Sequence, residues 1–391
     1  MGRRTPYRVL LGMPGVPAQA VLGFLAQLTQ QVAPVGMVLV VESATGSLAV
    51  AGLCVAAFSV GAGVARPVQG RLIDRRGSRR VLAGAAFLHV AALIALVAGA
   101  VAGWPVWTFA GLAVIAGAGL PPISVTMRFE WGRRVAGEGR TAAYSLVFLV
   151  QELAMLVGPL LFGLMIAVAS SSLALGVVTV AAGAATLAFS RALRGGQTPG
   201  ARDRGRVFAD RRMLVLLAVV LMHGGVFGAL QVGVPALAAA RDVPAAAGVL
   251  VAALSLGGIA GAVAYGARSW MSPVEVRLVA LMLAVGVMLA PLMLIGALPV
   301  FWVVLCAGGM MFNPALTTSS LLVDEFAPGA QAEAFGWVST ALGMGGAIGS
   351  GVAGVAGERF GASAPFLVAS ASALLGAGLA MVLLRRGRGR G

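Results

Sequence analysis

The sequence predicts an all-α membrane protein with twelve transmembrane helices in two pseudo-symmetric bundles of six. Three observations predict this fold class: an apolar composition, long stretches without charge, and similarity between the two halves of the chain. Apolar residues make up 59% of the 391 residues and charged residues only 10%. A soluble globular chain carries about 25% charged residues, so this composition excludes a protein that exposes most of its surface to water.

Nine apolar stretches predict the twelve spans, because one crossing of a bilayer takes about 20 residues. Six of them cross once, and three stretches of 46 to 50 residues must turn back and cross twice. The expected turns in those three are 103–105, 170–172 and the region of Pro299, where helix breakers or small polar residues interrupt the run. The nine stretches, uncharged apart from Glu152, are 9–41, 43–65, 81–127, 141–190, 213–240, 243–267, 278–323, 334–357 and 360–384.

The arginines predict the orientation. All 28 basic residues are arginine, and 25 of them fall in six segments that alternate spans place on one side of the membrane. Basic residues favour the cytoplasmic side, so we expect both termini to be cytoplasmic and the protein to lie in the inner membrane of its cell. The same placement accounts for the net charge of +15, and no nucleic-acid partner is expected. The six segments are 3–8, 71–80, 128–140, 191–212, 268–277 and 385–390.

One inner connection departs from this pattern. The connection at 324–333 carries Asp324, Glu325 and Glu333 and no arginine. A single exception does not change the predicted orientation.

Two offsets near half the chain length align the halves, as expected for membrane proteins built from internal repeats. A shift of 196 residues places Gly61 of the second span on Gly257 of the eighth, and a shift of 191 places Gly158 of the fifth on Gly349 of the eleventh. The predicted domains are an N-terminal six-helix bundle over 1–190, a cytoplasmic linker over 191–212, and a C-terminal six-helix bundle with a basic tail over 213–391.

The segment between the second and third spans carries the strongest motif: Gly70, Leu72, Asp74, Arg75, Gly77 and Arg79. The motif resembles the signature of the major facilitator superfamily, and with the twelve spans, two halves and central linker the resemblance covers the whole chain. Glycines permit a tight turn and close helix approach, and an aspartate accepts from helix N-termini or arginines. We therefore expect a gating loop that favours one side of alternating access. The second-half counterpart at 266–269 lacks the aspartate.

The fifth span carries Gly158, Pro159 and Gly163, which is similar to the glycine-proline motif of antiporters in that superfamily. The family pattern places a glycine pair sooner after the proline, so a general transmembrane kink remains the alternative. Proline removes a backbone donor and glycines allow close packing against another helix.

Glu152 is the only acid well inside a predicted span. A charge at that depth is costly unless it faces a cavity, finds a partner or takes up a proton. Burial raises the affinity of a carboxyl for its proton, so Glu152 is the candidate proton-coupling residue. A structural, hydrogen-bonded glutamate is the alternative.

Other polar residues inside predicted spans are candidates for lining a central substrate cavity, although each could instead bridge two helices. Arg66 is expected to reach the inner membrane surface or to join the gating loop, and His89 to pack in the interior. A cavity without a central arginine disfavours strongly anionic substrates. The cavity candidates are Gln27, Gln30, Gln31, Gln151, His223, Gln231 and Asn313.

The sequence contains no nucleotide-binding loop, metal-ligand cluster or nucleophile arrangement, so neither an enzyme nor a bound cofactor is expected. Resemblance to the drug:proton antiporter branch implies proton-driven efflux of small amphiphilic or hydrophobic organic compounds. The expected partners are the lipid bilayer, the substrate and protons, and a monomer is expected. The alternatives are a metabolite importer or facilitator of the same fold, and a non-transporting membrane partner or sensor protein.

Overall fold

A computed structural model of the protein describes residues 6–193, 206–243, 246–295 and 297–387. Twelve of its helical segments are long and apolar enough to cross a membrane, which confirms the predicted number of spans. The fourth span combines α5 and α6, and the ninth combines α11 with the 3₁₀ turn Ala290–Met293. The helices are α1 Pro6–Leu11, α2 Val16–Thr45, α3 Leu48–Arg76, α4 Ser78–Val101, α5 Val106–Ala118, α6 Ile123–Gly132, α7 Glu138–Val168, α8 Ser171–Ala192, α9 Arg212–Ala240, α10 Ala246–Ala267, α11 Val274–Leu289, α12 Leu298–Phe326, α13 Gln331–Phe360 and α14 Ala364–Gly387.

The turns predicted in the long apolar stretches lie at or next to breaks between helices. The segment 103–105 separates α4 from α5, and Pro299 lies in the first turn of α12, where a proline forfeits no helical hydrogen bond. Ser170 caps α8, because its side-chain oxygen accepts a hydrogen bond from the backbone nitrogen of Leu173 at 3.2 Å. These breaks are local events, which is why the sequence locates them.

The chain divides into two compact units. The N-terminal unit consists of Leu11–Arg134 and Val150–Arg204, and the C-terminal unit of Met1–Leu10, Val135–Leu149 and Gly205–Gly391. Helix α7 therefore contributes its first part to the C-terminal unit and the remainder to the N-terminal unit. The domain boundaries inferred from the sequence stay a prediction. Residues 194–205 of the expected linker and 388–391 of the expected tail lie outside the described ranges.

Equivalent helix crossings occur in the two units. In the N-terminal unit α3 packs on α5, and a Cβ atom on Gly61 would overlap the carbonyl oxygen of Val114. In the C-terminal unit α10 packs on α12, and a Cβ atom on Gly257 would overlap the carbonyl oxygen of Cys306. The absence of a side chain thus allows the same backbone approach at both crossings.

A second glycine on each partner helix repeats this relation. A Cβ atom on Gly117 of α5 would overlap the carbonyl oxygen of Phe58 on α3. A Cβ atom on Gly309 of α12 would likewise overlap that of Leu254 on α10. Each residue of the second crossing lies 196 or 192 positions after its counterpart, so the similarity seen between the halves of the sequence corresponds to a repeated packing geometry.

Large apolar side chains cover the outward faces of the spans. Phe87 of α4 is 77% exposed, and Val64, Leu164 and Val168 are also mostly exposed. An exposed apolar surface of this extent is incompatible with water as the surrounding solvent. The protein is therefore a multi-pass membrane protein whose outward faces contact lipid.

The short helix α1 is attached to α10 within the C-terminal unit. The Tyr7 hydroxyl donates to the carbonyl oxygen of Ala262 at 2.7 Å. Burial raises the pKa of Tyr7 above its ordinary value, so the hydroxyl keeps its proton and remains a donor at neutral pH.

Candidate functional site

Glu152 lies at the middle of α7, 14 residues after Glu138 and 16 before Val168. At 1.5 Å per residue it is about 21 Å along the axis from the first residue of the helix. Its side chain is half-buried and belongs to the N-terminal unit. Every other acid in a described span lies within about one turn of a helix end, so only Glu152 places a carboxyl near the centre of the membrane.

The glutamines of α2 have different environments. Gln27 is buried and donates to the carbonyl oxygen of Gly23, one turn earlier in the same helix, at 3.1 Å. Gln30 is half-buried, and its Oε1 accepts a hydrogen bond from Nη2 of Arg66 at 3.3 Å. Gln27 is thus satisfied by its own helix, whereas Gln30 faces a cation on α3.

The position of Arg66 differs from the expectation of the sequence. Arg66 is only 7% exposed and lies ten residues before Arg76, the last residue of α3, which is about 15 Å along the helix axis. Its guanidinium donates to Gln30 of α2, so the side chain lies in the interior and not on the surface. The interior of the N-terminal unit therefore contains a fixed positive charge, contrary to the expected absence of a central arginine.

The glycine-proline motif of α7 contacts α2 through its first glycine. A Cβ atom on Gly158 would lie 3.2 Å from Cβ of Gln31, while Pro159 and Gly163 are exposed and a Cβ on Gly163 would meet open space. Helix α7 continues through the proline to Val168. The motif thus provides one close approach to α2, at the level of Gln31.

Gln151 has one polar atom that lacks a partner. It precedes Glu152 on α7, and its Oε1 is buried without a hydrogen bond in the described part of the chain. A buried carbonyl oxygen of this kind needs a donor, such as a water molecule or a bound compound.

The expected gating loop is almost entirely helical. Gly70, Asp74 and Arg75 lie on the last two turns of α3, and Arg79 lies in the first turn of α4. Only Gly77 lies between the two helices, and its φ of 82° is a conformation that favours glycine. The connection is therefore a one-residue turn, and Asp74 is held on a helix.

The N-terminal end of α4 is attached to α6. The buried Ser78 follows the one-residue turn, and its hydroxyl donates to Oε1 of Glu130 at 2.6 Å. This hydrogen bond links the residue that follows the turn to the C-terminal end of the fourth span.

The fourth span is interrupted at Pro121 and Pro122, between α5 and α6, and side chains satisfy the backbone groups that the break releases. Nε2 of Gln69 donates to the carbonyl oxygens of Ala118 at 2.9 Å and Leu120 at 3.2 Å. A broken helix inside a membrane needs such substitutes because no water is present. Gln69 therefore stabilises the break from α3.

His89 of α4 satisfies another carbonyl of the same span. Its Nδ1 lies 2.7 Å from the carbonyl oxygen of Ala116, so that nitrogen carries the proton and Nε2 is left as an acceptor. This interior position agrees with the expectation for His89. Both Nε2 of His89 and Oε1 of Gln69 are buried without a partner among the described residues.

The cavity candidates in the second half lie in the C-terminal unit. His223 is buried, its ring centroid lies 3.9 Å from that of Phe312, and its Nδ1 is 3.2 Å from the sulfur of Met282. Asn313 is buried, whereas Gln231 is exposed. The structure therefore separates the seven candidates: four glutamines belong to the N-terminal unit, and His223, Gln231 and Asn313 belong to the other.

Asp324 is one of the three acids in the connection at 324–333, which carries no arginine, and it has partners on α7. Its Oδ2 accepts a hydrogen bond from the Tyr144 hydroxyl at 2.5 Å and lies 3.6 Å from Nη1 of Arg140. Both partners lie on the first turns of α7, in the same unit. Two further contacts involve the first turns of α7. Oγ of Ser145 lies 3.3 Å from Oγ1 of Thr317, and the Ser269 hydroxyl donates to Oε2 of Glu138 at 2.8 Å.

Glu325 has a cationic partner as well. Nη1 of Arg212 lies 2.9 Å from Oε1 of Glu325, and Nη2 of the same arginine lies 2.8 Å from Oδ2 of Asp210. Asp324 and Glu325 thus pair with arginines of other arginine-rich segments. The sequence shows the composition of these segments but not the pairs they form.

The second-half counterpart of the expected gating segment lies beside a buried arginine. Arg277 donates to the Tyr265 hydroxyl at 3.0 Å, and that hydroxyl lies 2.8 Å from Oγ1 of Thr318. The indole nitrogen of Trp270 donates to the carbonyl oxygen of Tyr265 at 3.0 Å. Where the second half lacks an aspartate, it has an aromatic cluster around Arg277.

Among the described residues, no group of three or more histidine, cysteine, aspartate or glutamate side chains could hold a metal ion.

The sequence matches the family model described as Major Facilitator Superfamily over residues 20–333. A comparison of the sequence with curated proteins found no match. Three solved structures are similar to the fold. A bacterial homologue of the iron transporter ferroportin has a TM-score of 0.76 at 15% identity, covering 93% of this chain and 98% of that chain.

The human organic anion transporter MFSD10 (TETRAN) has a TM-score of 0.72 at 16% identity, covering 96% of this chain and 100% of its own. The major facilitator transporter FucP has a TM-score of 0.74 at 13% identity, covering 95% and 99%. At these identities the likeness concerns the fold.

Proposed function

Because the chain belongs to the major facilitator superfamily, whose members are transporters, we propose that this secondary transporter exports small amphiphilic or hydrophobic organic compounds in exchange for protons. The similar structures include an iron transporter homologue and an organic anion transporter, so the fold leaves the choice of substrate to individual residues. The protein acts from the inner membrane with both termini in the cytoplasm, as a monomer, and draws its energy from the proton gradient.

The position of Glu152 carries the proposal. A half-buried carboxyl at the middle of α7 is surrounded by apolar spans, where the neutral form is favoured over the charged form. Such a group takes up and releases protons as its exposure to the two sides of the membrane changes. Gln151 beside it has an unpartnered Oε1, which adds an acceptor for a bound compound or water.

Two further motifs support the transport cycle. Asp74 on the last turns of α3 is proposed to favour one side of alternating access, with Gly77 as the turn that relays its movement to α4. The contact of Gly158 with Gln31 is proposed to let α7 move against α2. In this proposal α7 carries both the proton site and the small residues on which its own movement depends.

The proposed function is tested by measuring proton-driven transport by Glu152→Gln. Glutamine keeps the size and polarity of the side chain but cannot release a proton. Cells that produce the wild type are expected to accumulate less of some fluorescent amphiphilic compound, and a protonophore should abolish the difference. The variant should lose this gradient-driven efflux while retaining exchange of labelled for unlabelled compound in proteoliposomes.

Glu358→Gln is the matched control, because Glu358 is exposed near the end of α13. This variant should transport like the wild type. Gradient-driven efflux by Glu152→Gln at the wild-type rate would remove Glu152 from the mechanism. An unchanged accumulation of every compound in a broad panel would refute export itself.

A further inference from the structure

Arg66 is a buried cation without a counter-ion. Of the five N–H donors that a guanidinium carries, one makes a hydrogen bond in the described part of the chain, and its acceptor is the neutral amide oxygen of Gln30 at 3.3 Å. No carboxylate lies within 4 Å of Arg66 among the described residues. Arg66 lies about 15 Å along the axis from the end of α3, and it is only 7% exposed.

The described polar neighbours of Arg66 on α3 and α4 are uncharged side chains that already have partners. On α3 the next inward-facing polar residue is Gln69, whose nitrogen is committed to the broken fourth span. On α4 the Nδ1 of His89 is committed to the carbonyl oxygen of Ala116 at 2.7 Å. Retaining a charge at this depth without a partner is costly, which makes Arg66 a functional-site candidate.

A ligand with an anionic group would satisfy Arg66. The planar fork of a guanidinium matches the two oxygens of a carboxylate, with parallel hydrogen bonds and opposite charge. Gln30 is half-buried beside it, so the approach from α2 is not fully closed by protein. The surrounding helices are apolar, which suits a compound whose remainder is hydrophobic.

We propose that Arg66, positioned by Gln30, binds the anionic group of the transported compound, so that the substrates are amphiphilic organic anions, with carboxylates as the best fit. This inference rests on the proposed transport function and narrows its substrate class.

The test compares a charged and an uncharged probe on the same protein. A dansyl-labelled medium-chain carboxylate and its matched amide differ only in the group that Arg66 would bind. Binding to purified protein in nanodiscs is followed by the dansyl fluorescence. Arg66→Gln is expected to weaken carboxylate binding by at least about tenfold, in line with the loss of a charge-assisted pair, and to leave amide binding unchanged. Arg66→Lys should restore part of the affinity, since it keeps the charge but not the fork.

Arg191→Gln is the control, because Arg191 is an exposed arginine at the end of α8. A wild type that binds the amide as tightly as the carboxylate would overturn the proposal, and so would Arg66→Gln with undiminished carboxylate affinity. Competition by chloride as effective as that by the unlabelled carboxylate would assign Arg66 to a small inorganic anion and also overturn it. Thermal unfolding midpoints identify a variant that fails to fold, in which case the comparison of the two probes on Arg66→Lys decides.

Failure of the proposed function gives a different result. If the carboxylate binds through Arg66 but no compound is exported, the anion site is supported and proton-driven export is refuted. If neutral compounds are exported and Arg66→Gln leaves both export and carboxylate binding unchanged, export is supported and the anion site is refuted.

Discussion

At the scale of single residues, the charges of this protein fall into two groups that the sequence does not distinguish. Asp324 and Glu325 look like exceptions to the inner-side arginine pattern, yet each meets an arginine of another segment. Arg66 looks like one of those arginines, yet it is buried beside a glutamine. Composition predicts the side of the membrane on which a charge lies, whereas its partner depends on which helices pack together.

The hydrogen bond between Tyr144 and Asp324 gives a prediction at this scale. Tyr144→Phe removes the donor and leaves a largely buried carboxylate with only its looser contact to Arg140, which should destabilise the protein by about 1.5–3 kcal/mol. The thermal unfolding midpoint in detergent should fall, and adding Asp324→Asn should recover part of the loss, because a neutral amide costs less to bury. Ser339→Ala is the control, since that hydroxyl bonds only to its own helix. A double variant less stable than Tyr144→Phe alone would contradict this account.

At the scale of helices, the number of spans and the turns between them could be predicted from the sequence. These features depend on local hydropathy and on residues that cannot continue a helix. The expectation of a gating loop was wrong in its secondary structure: only Gly77 is non-helical, because α3 keeps its backbone hydrogen bonds to the last turn. The partner of Arg66 could not be predicted, because Gln30 lies 36 residues away on another helix.

The repeated helix crossings give a prediction for both halves. Gly117→Ala and Gly309→Ala each place a methyl group against a backbone carbonyl, so each should destabilise the protein by about 1–3 kcal/mol and reduce the amount of folded protein. Gly354→Ala is the matched control, because its Cβ meets open space and alanine is the better helix former. The measurements are the unfolding midpoint and the monodisperse yield in size exclusion. A loss in one half only would show that the two crossings are not equivalent.

At the scale of the whole molecule, the two proposals together set the charge that moves in one transport cycle. If one proton enters through Glu152 for each compound that leaves, a neutral substrate moves one charge with the inside-negative potential. An anionic substrate held by Arg66 moves two charges, because the leaving anion and the entering proton both follow the field. A potential of 100 mV then contributes about 2.3 kcal/mol for the neutral compound and about 4.6 kcal/mol for the anion. The membrane potential should thus select for anionic substrates even where binding does not.

This difference is measurable in vesicles whose lumen corresponds to the cytoplasm. With the pH difference held fixed, a potassium gradient and valinomycin impose a graded inside-negative potential, and the steady-state ratio of probe outside to inside is recorded. The logarithm of that ratio should rise twice as steeply with potential for the labelled carboxylate as for its amide, because twice the charge crosses the membrane. Vesicles without the protein correct for passive leak. Equal slopes would mean that the carboxylate crosses as its neutral acid and that Arg66 does not hold an anion during transport. A flat response for both probes, with export intact, would mean that the exchange moves no net charge and that Glu152 does not couple one proton to each cycle.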